Sequence, residues 1–126
     1  MGKKSERLDW QTDLEEVLAG ITQAHEVRTA RRENLYRLET EIEQIQNQIA
    51  SGVSLKELGD YMDLLAKLRE KWYSLIAEED SWDHYRGRLQ SILGGQLNLQ
   101  RAVVRYGGYI VDYANGMVQV MKPESE

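Results

Sequence analysis

A four-residue pattern near the middle of the chain restricts the fold more than any other feature. Ser54 is followed three residues later by Glu57, which is the spacing of a capping box. In such a box the serine hydroxyl accepts a hydrogen bond from the glutamate N–H, and the glutamate carboxylate accepts one from the serine N–H. A helix is therefore predicted to begin at Ser54. Because Ser51-Gly52 is typical of the end of a preceding helix, the stretch predicts the bend of a helical hairpin.

Heptad spacing flanks this bend on both sides. Apolar residues recur at alternating intervals of four and three along a first arm, about residues 9–50, and along a second arm, about residues 54–93. The first seam comprises Trp10, Leu14, Val17, Ile21, Ala24, Leu35, Leu38, Ile42, Ile45 and Ile49, and the second comprises Leu58, Tyr61, Leu65, Leu68, Trp72, Leu75, Trp82, Leu89 and Leu93. A helix of about 40 residues needs a partner along its length. We therefore predict an all-α fold, a long antiparallel coiled-coil hairpin with its bend at residues 51–54.

The segment of residues 97–121 is the most apolar part of the chain, and its pattern fits two structures. As a helix it has an unbroken heptad repeat at Leu99, Val103, Tyr106, Ile110, Tyr113, Met117 and Val120. As strands it has a hairpin turn at Asn115-Gly116, which would pair Val111 with Val120 and Tyr113 with Val118. We predict the helix by a narrow margin, because seven consecutive heptad positions outweigh the glycines. The β-hairpin is the alternative.

The same seven residues are the candidate partner-binding residues. A seam of two helices offers little area against which a third apolar element can pack. The segment is therefore expected to complete a three-helix bundle, to join another copy of the chain, or to receive a partner. In each case the chain is expected to form a single helical domain of residues 1–126.

Charge and composition exclude several classes of function. The net charge is -5, which argues against a dedicated nucleic-acid-binding protein, and the absence of cysteine excludes disulfides and thiolate chemistry. No apolar run reaches the ~18 residues of a membrane span, and the N-terminal residues lack the apolar core of a signal peptide. We expect a cytoplasmic protein. His25 and His84 lack the convergent ligands of a metal site, so no enzyme activity, cofactor, metal or small-molecule substrate is expected.

One basic cluster lies in the first arm and comprises Arg28, Arg31, Arg32 and Arg37. Clustered arginines beside an aromatic residue can bind phosphates or stack on bases. However, Arg28 and Arg31 occupy seam positions, and glutamates interrupt the cluster. We interpret the cluster as a polar docking patch or as a set of residues that fix the register of the two arms. Folding the arms about residues 51 and 52 places Arg31 over Trp72, where a cation–π contact can form.

Two stretches resemble helical accessory proteins of flagellar and related type III export. DLEEVL at residues 13–18 and GVSLKELGDYMDLLAKLR at residues 52–69 resemble the FliJ-type coiled-coil hairpin. That resemblance implies contact with the export ATPase and transfer of chaperones. YIVDYANGMV at residues 109–118 resembles the C-terminal helix of the FlgN-type chaperones, which implies binding of hook–filament junction subunits. The implied client-binding face is Ile110, Tyr113, Met117 and Val120.

These patterns together favour a non-enzymatic adaptor or chaperone that holds a partner's helix through the C-terminal segment. The alternative is a structural coiled-coil subunit of a virion or another large assembly, in which the same segment forms the oligomerisation seam. In both cases the expected partner is another protein or copies of the chain itself.

Overall fold

The computed structural model describes the backbone of residues 2–123 and the side chains of residues 9–123. Residues 124–126, the polar C-terminal end of the sequence, lie outside the described residues. The chain is mostly α-helical and ends in a small antiparallel sheet. The elements are α1 (Gly2–Ser51), α2 (Leu55–Ala77), α3 (Trp82–Gln90), a π-helical segment (Ser91–Gln96), β1 (Arg101–Tyr106), β2 (Tyr109–Ala114) and β3 (Met117–Met121).

Contacts divide the chain into two compact units. Residues up to Val27 and from Asp80 onward form the first unit, and Arg28–Glu79 form the second, which we call the hairpin unit. The sequence analysis expects one domain of residues 1–126. The division falls inside α1, whose two parts contribute to different units.

The predicted bend is confirmed. Gly52 ends α1 with a φ of 111°, a backbone conformation that glycine adopts without steric cost. Ser54 is the N-cap of α2, and both hydrogen bonds of the capping box form at 3.1 Å: Glu57 N–H donates to Ser54 Oγ, and Ser54 N–H donates to Glu57 Oε1. Three residues therefore separate the two long helices.

The hairpin unit uses the heptad positions that the sequence predicts. In α2 the side chains that are buried or half-buried are those of Leu58, Tyr61, Leu65, Leu68, Trp72 and Leu75. Leu35, Leu38, Ile42, Ile45 and Ile49 of α1 are half-buried. Only Leu65 and Leu68 fall below a tenth exposed among the side chains of this unit. The seam is therefore correctly located but incompletely covered.

The predicted pairing of the arms is displaced. Arg31 donates to the Glu78 carbonyl at 2.6 Å, whereas the prediction placed it opposite Trp72. Tyr61 Oη donates to Gln48 Oε1 at 2.5 Å, whereas the prediction placed it opposite Ile42. Both bonds show that α1 and α2 run antiparallel. Both bonds are symmetric about residues 54 and 55, whereas the prediction folded the arms about residues 51 and 52.

The second arm is not one continuous helix to residue 93. It ends at Ala77, and α3 begins at Trp82. In the interruption, Asp80 Oδ1 accepts a hydrogen bond from the Trp82 N–H at 2.9 Å. Short acidic side chains that bond a nearby backbone amide compete with the helical hydrogen bonds. The helix resumes after this turn and continues as the π-helical segment through Gly94-Gly95.

The helix predicted for residues 97–121 is wrong, and the strand alternative describes this segment. It forms a three-stranded antiparallel sheet in the order β1-β2-β3. Val111 pairs with Val120 and Tyr113 with Val118, as the β-hairpin alternative has it. Both two-residue turns, Gly107-Gly108 and Asn115-Gly116, have positive φ at each residue, which matches the type I′ turn of a hairpin and opposes a helix.

The core of the first unit explains why this segment forms strands rather than a helix. One face of the sheet, with Val111, Tyr113 and Val120, packs in the same cluster as helical residues. The helical residues are Val17, Leu18 and Ile21 of α1, Leu89 of α3, and Ile92 and Leu93 of the π-helical segment. Strand side chains alternate between faces, so every second apolar residue reaches this core.

Two glycines permit close packing in this unit. A Cβ at Gly20 of α1 would overlap the ring of Tyr85, and a Cβ at Gly94 would overlap the Tyr113 hydroxyl. By contrast, a Cβ at Gly87 of α3 would meet nothing within 4 Å. The Tyr85 ring and the Tyr113 hydroxyl therefore lie directly over helix backbone at these two glycines.

We predict that Gly20→Ala destabilises the protein by about 1–3 kcal/mol, because the new methyl group displaces the Tyr85 ring from a packed position. The matched control is Gly87→Ala, also inside a helix, which is expected to be neutral or to stabilise by up to about 1 kcal/mol. Urea unfolding of both variants measures the difference. Equal stabilities would contradict the close packing of Tyr85 on α1.

A second prediction concerns the capping box. The hydrogen bonds from the Ser54 side chain and backbone lower the pKa of Glu57 below its ordinary 4.5. Because the folded pKa is lowered, the stabilisation is present above pH 4.5 and is lost as the pH falls through the folded pKa. Ser54→Ala should raise the pKa of Glu57 in a carboxylate NMR titration, and the stability difference from wild type should shrink in acid. Ser74→Ala is the control and should leave that pKa unchanged.

Candidate protein-binding surfaces

The seven predicted partner-binding residues do not share one face. Val103, Ile110 and Met117 lie at alternate positions to the core-facing residues of the sheet, on its outer face, and Leu99 precedes β1. Tyr106, Tyr113 and Val120 belong to the core face. Residues three and four apart fall on one side of a helix but on both sides of a strand. The change from helix to strand therefore divides the predicted site.

The outer face of the sheet retains part of that site. Met117 is 72% exposed and Val103 is 55% exposed, so both are accessible. Between them Arg101 Nη2 lies 3.6 Å from Asp112 Oδ2, an ion pair across β1 and β2. This face is a mixture of apolar and charged side chains.

The ionisable cluster of the first unit is a packing feature. The His25 ring lies edge-on to Tyr109 with the ring centres 5.7 Å apart, and Lys122 Nζ lies 5.8 Å from the centre of the Tyr109 ring. Burial, together with the Glu26 carboxylate that accepts its hydrogen bond, raises the pKa of Tyr109.

The hairpin unit contains a concave surface with an apolar floor. A groove of about 790 Å³ opens between α1 and α2. Its apolar floor comprises Leu38, Leu64, Leu68 and Leu75, and its rim comprises Asn34, Arg37, Lys67, Glu70, Lys71 and Ser74. Leu64 is 43% exposed although it lines the groove. We call this surface the hairpin groove. It presents leucine side chains with a mainly basic rim.

The predicted arginine patch has four different surroundings. Arg31 donates to the backbone carbonyl at the end of α2, where a cation is favourable because the helix dipole is negative there. Arg37 lines the hairpin groove. Arg28 is half-buried at a seam position, and Arg32 is exposed. Only Arg37 of the four therefore lines the groove.

The sequence analysis missed the hairpin groove. Leu64 is adjacent to the seam residue Leu65, and its spacing of four from Leu68 was the available signal. The lysines at 67 and 71 fall on the same side of α2 at the same spacing. The heptad pattern identifies the residues of the seam. It does not identify an apolar residue that lies beside the seam, such as Leu64.

No protein-family model matches the chain, and neither a curated protein nor a solved structure matches it. Within residues 2–123, no helix is both long and apolar enough to cross a membrane. Among the side chains that the structure describes, no group of three or more histidine and carboxylate residues is placed to bind a metal ion.

The role of Arg31 can be tested against that of Arg32. Arg31→Ala should destabilise the hairpin unit by about 1 kcal/mol, because it removes a charged hydrogen bond to the last turn of α2. Arg32→Ala, an equal change at an exposed position next to it, should alter stability by less than about 0.5 kcal/mol. Chemical unfolding monitored by circular dichroism gives both values. A larger loss with Arg32→Ala would indicate a different arrangement of the cluster.

Proposed function

We propose that the chain is a non-enzymatic protein-binding protein that acts through its hairpin unit. The observation on which this proposal depends is the incomplete burial of the seam between α1 and α2. Most of the seam leucines and isoleucines are half-buried, and Leu64 beside the seam is accessible in the hairpin groove. Helices from another chain would remove these side chains from water.

Burial of this surface is a sufficient driving force for binding. Removing apolar surface from water gains roughly 25 cal/mol per Å², so complete burial of a leucine side chain is worth about 1.5–3 kcal/mol. In the hairpin groove Leu68 is already buried and Leu38 and Leu75 are half-buried, so Leu64, which is 43% exposed, has the most apolar surface left to bury in a complex. Such a surface is typical of interaction proteins, since single exposed apolar residues need no explanation but contiguous ones do.

The role that we propose is that of an adaptor or chaperone which holds a helix of its partner. The sequence resemblance suggests flagellar or related type III export as the setting. The sequence predicts the C-terminal segment as the client-binding element, but one face of this segment packs in the core of the first unit. The hairpin unit is therefore the better-supported binding surface. A second candidate is a structural subunit of a large assembly. It is favoured by the exposed apolar side chains on the outer face of the sheet, such as Met117.

Site-specific photo-cross-linking tests the proposal. A benzophenone amino acid replaces Leu64 in the full chain, expressed in its native cells, and a matched variant carries it at Glu15, an exposed position outside the hairpin unit. Irradiation should produce an adduct with a polypeptide at position 64 and not at position 15. Mass spectrometry then identifies the second chain.

The composition of the adduct separates the two candidates. A different protein joined to position 64 supports the adaptor or chaperone role, and copies of the same chain support the structural subunit. The proposal that the hairpin unit binds protein would be overturned if position 64 yields no polypeptide adduct under conditions in which a known interacting pair cross-links.

A further inference from the structure

The charges of the hairpin unit are segregated along its length. We call residues 39–63 the tip half, and residues 28–38 with 64–79 the root half. The tip half has six acidic residues and one lysine, so its net charge is -5. The root half has seven basic and four acidic residues, so its net charge is +3. The two halves therefore carry net charges of opposite sign.

The segregation extends along the face that contains the hairpin groove. Arg37, Lys67 and Lys71 are rim residues in the root half. Three and four residues along a helix return to the same face, so Glu41 follows Leu38 and Asp60 precedes Leu64 on this side. The groove face is thus basic beside its leucines and acidic toward the bend. The opposite face has a smaller depression with a more polar lining that includes Glu39, Glu43, Gln46 and Arg69.

We propose that the occupant of the hairpin groove is a second copy of this chain, packed antiparallel so that the two hairpins form a four-helix bundle. This inference rests on the proposed function, since it names the partner of the same surface. In a twofold-symmetric interface each contact occurs twice, so each root half meets the tip half of the other copy. The opposite charges then attract at both ends of the bundle.

A parallel arrangement of the two hairpins is disfavoured by the same charges. It would place root against root and tip against tip, so like charges would oppose each other along the whole face. A single partner helix with charges of one sign would be attracted by one half of the groove face and repelled by the other half. An identical chain in reverse orientation matches both halves.

The area of the face is adequate for a stable dimer. α2 has 23 residues, which corresponds to a length of about 35 Å at ~1.5 Å per residue. Two helices side by side are roughly 20 Å wide, so the face covers on the order of 700 Å² in each copy. Stable interfaces commonly bury about 800 Å² on each partner. The leucines of each groove would pack against the tip half of the other copy, and the charged rims would set the orientation.

Charge exchange tests the pairing. Lys67→Glu with Lys71→Glu reverses the sign of the root rim, and Glu41→Lys with Asp60→Lys reverses that of the tip. Sedimentation equilibrium of the full chain measures the dissociation constant of the dimer. Each variant alone should dimerise about tenfold or more weakly than wild type, because an acidic rim then faces an acidic rim, or a basic rim faces a basic rim. An equimolar mixture should form heterodimers of nearly wild-type affinity, since the reversed root of one chain meets the reversed tip of the other.

The control for these variants makes an equal change of charge outside the hairpin unit. Asp13→Lys with Glu15→Lys should leave the dissociation constant of the dimer within about twofold of wild type. Dimerisation of wild type should also weaken as salt is raised, because partly exposed charges are screened.

Cysteine cross-linking determines the orientation, and the absence of native cysteine makes it specific. Lys56 and Lys71 lie equally far on α2 from the boundary between the halves, so an antiparallel dimer brings position 56 of one copy level with position 71 of the other. Two copies of position 56 would be about 22 Å apart along the bundle at ~1.5 Å per residue. A short bismaleimide should therefore join Lys56→Cys to Lys71→Cys in a mixture, but neither variant to itself.

The outcomes are distinct. The mixed cross-link together with restored heterodimers supports the antiparallel dimer. Self-cross-linking of Lys56→Cys would overturn the antiparallel orientation, and a monomer at every concentration would overturn the second copy as occupant. In the monomeric case, an adduct between position 64 and a different protein would leave the proposed function standing, whereas the lack of any polypeptide adduct would remove both.

Discussion

A pair of helices has too little facing surface to bury its own apolar seam, and this constraint accounts for the form of both units. In the first unit a sheet supplies the missing surface, so that residues such as Ile21 and Leu89 are fully buried. Within the hairpin unit only Leu65 and Leu68 are well covered. The first unit therefore has its own core, whereas the hairpin unit leaves much of its apolar seam partly exposed.

The charges and the leucines of the hairpin unit affect association in different ways. Apolar burial supplies affinity without direction, because it depends on area rather than on the identity of the neighbour. Opposite charges at the two ends of the hairpin supply direction, since they favour one orientation of a second copy over the other. An arm with an open apolar groove and segregated charge is suited to a specific association rather than to general adhesion.

Arg31 shows how a single residue can be recognised in sequence and still be assigned the wrong contact. Its polar side chain at a seam position signalled a special role, and the pairing rule placed it over Trp72. The structure places its guanidinium on the Glu78 carbonyl, at the end of α2. The difference follows from the position of the bend and from the end of the helix at Ala77, neither of which a heptad count contains.

The sequence by itself determined the bend, the antiparallel arms and the seam positions of the hairpin unit, because capping boxes and heptads act between residues close in sequence. Only the tertiary structure decided the strands of residues 101–121 and the helix break before Trp82. In the C-terminal segment the heptad and the two-residue alternation coexist, so local pattern does not choose between them. The apolar surface of α1 and α3 decides for strands, since alternate residues of the sheet reach that core, and the seven candidate binding residues are divided between two faces as a result. The hairpin groove likewise depends on how α1 and α2 pair, which brings Leu38 and Leu64 to one surface.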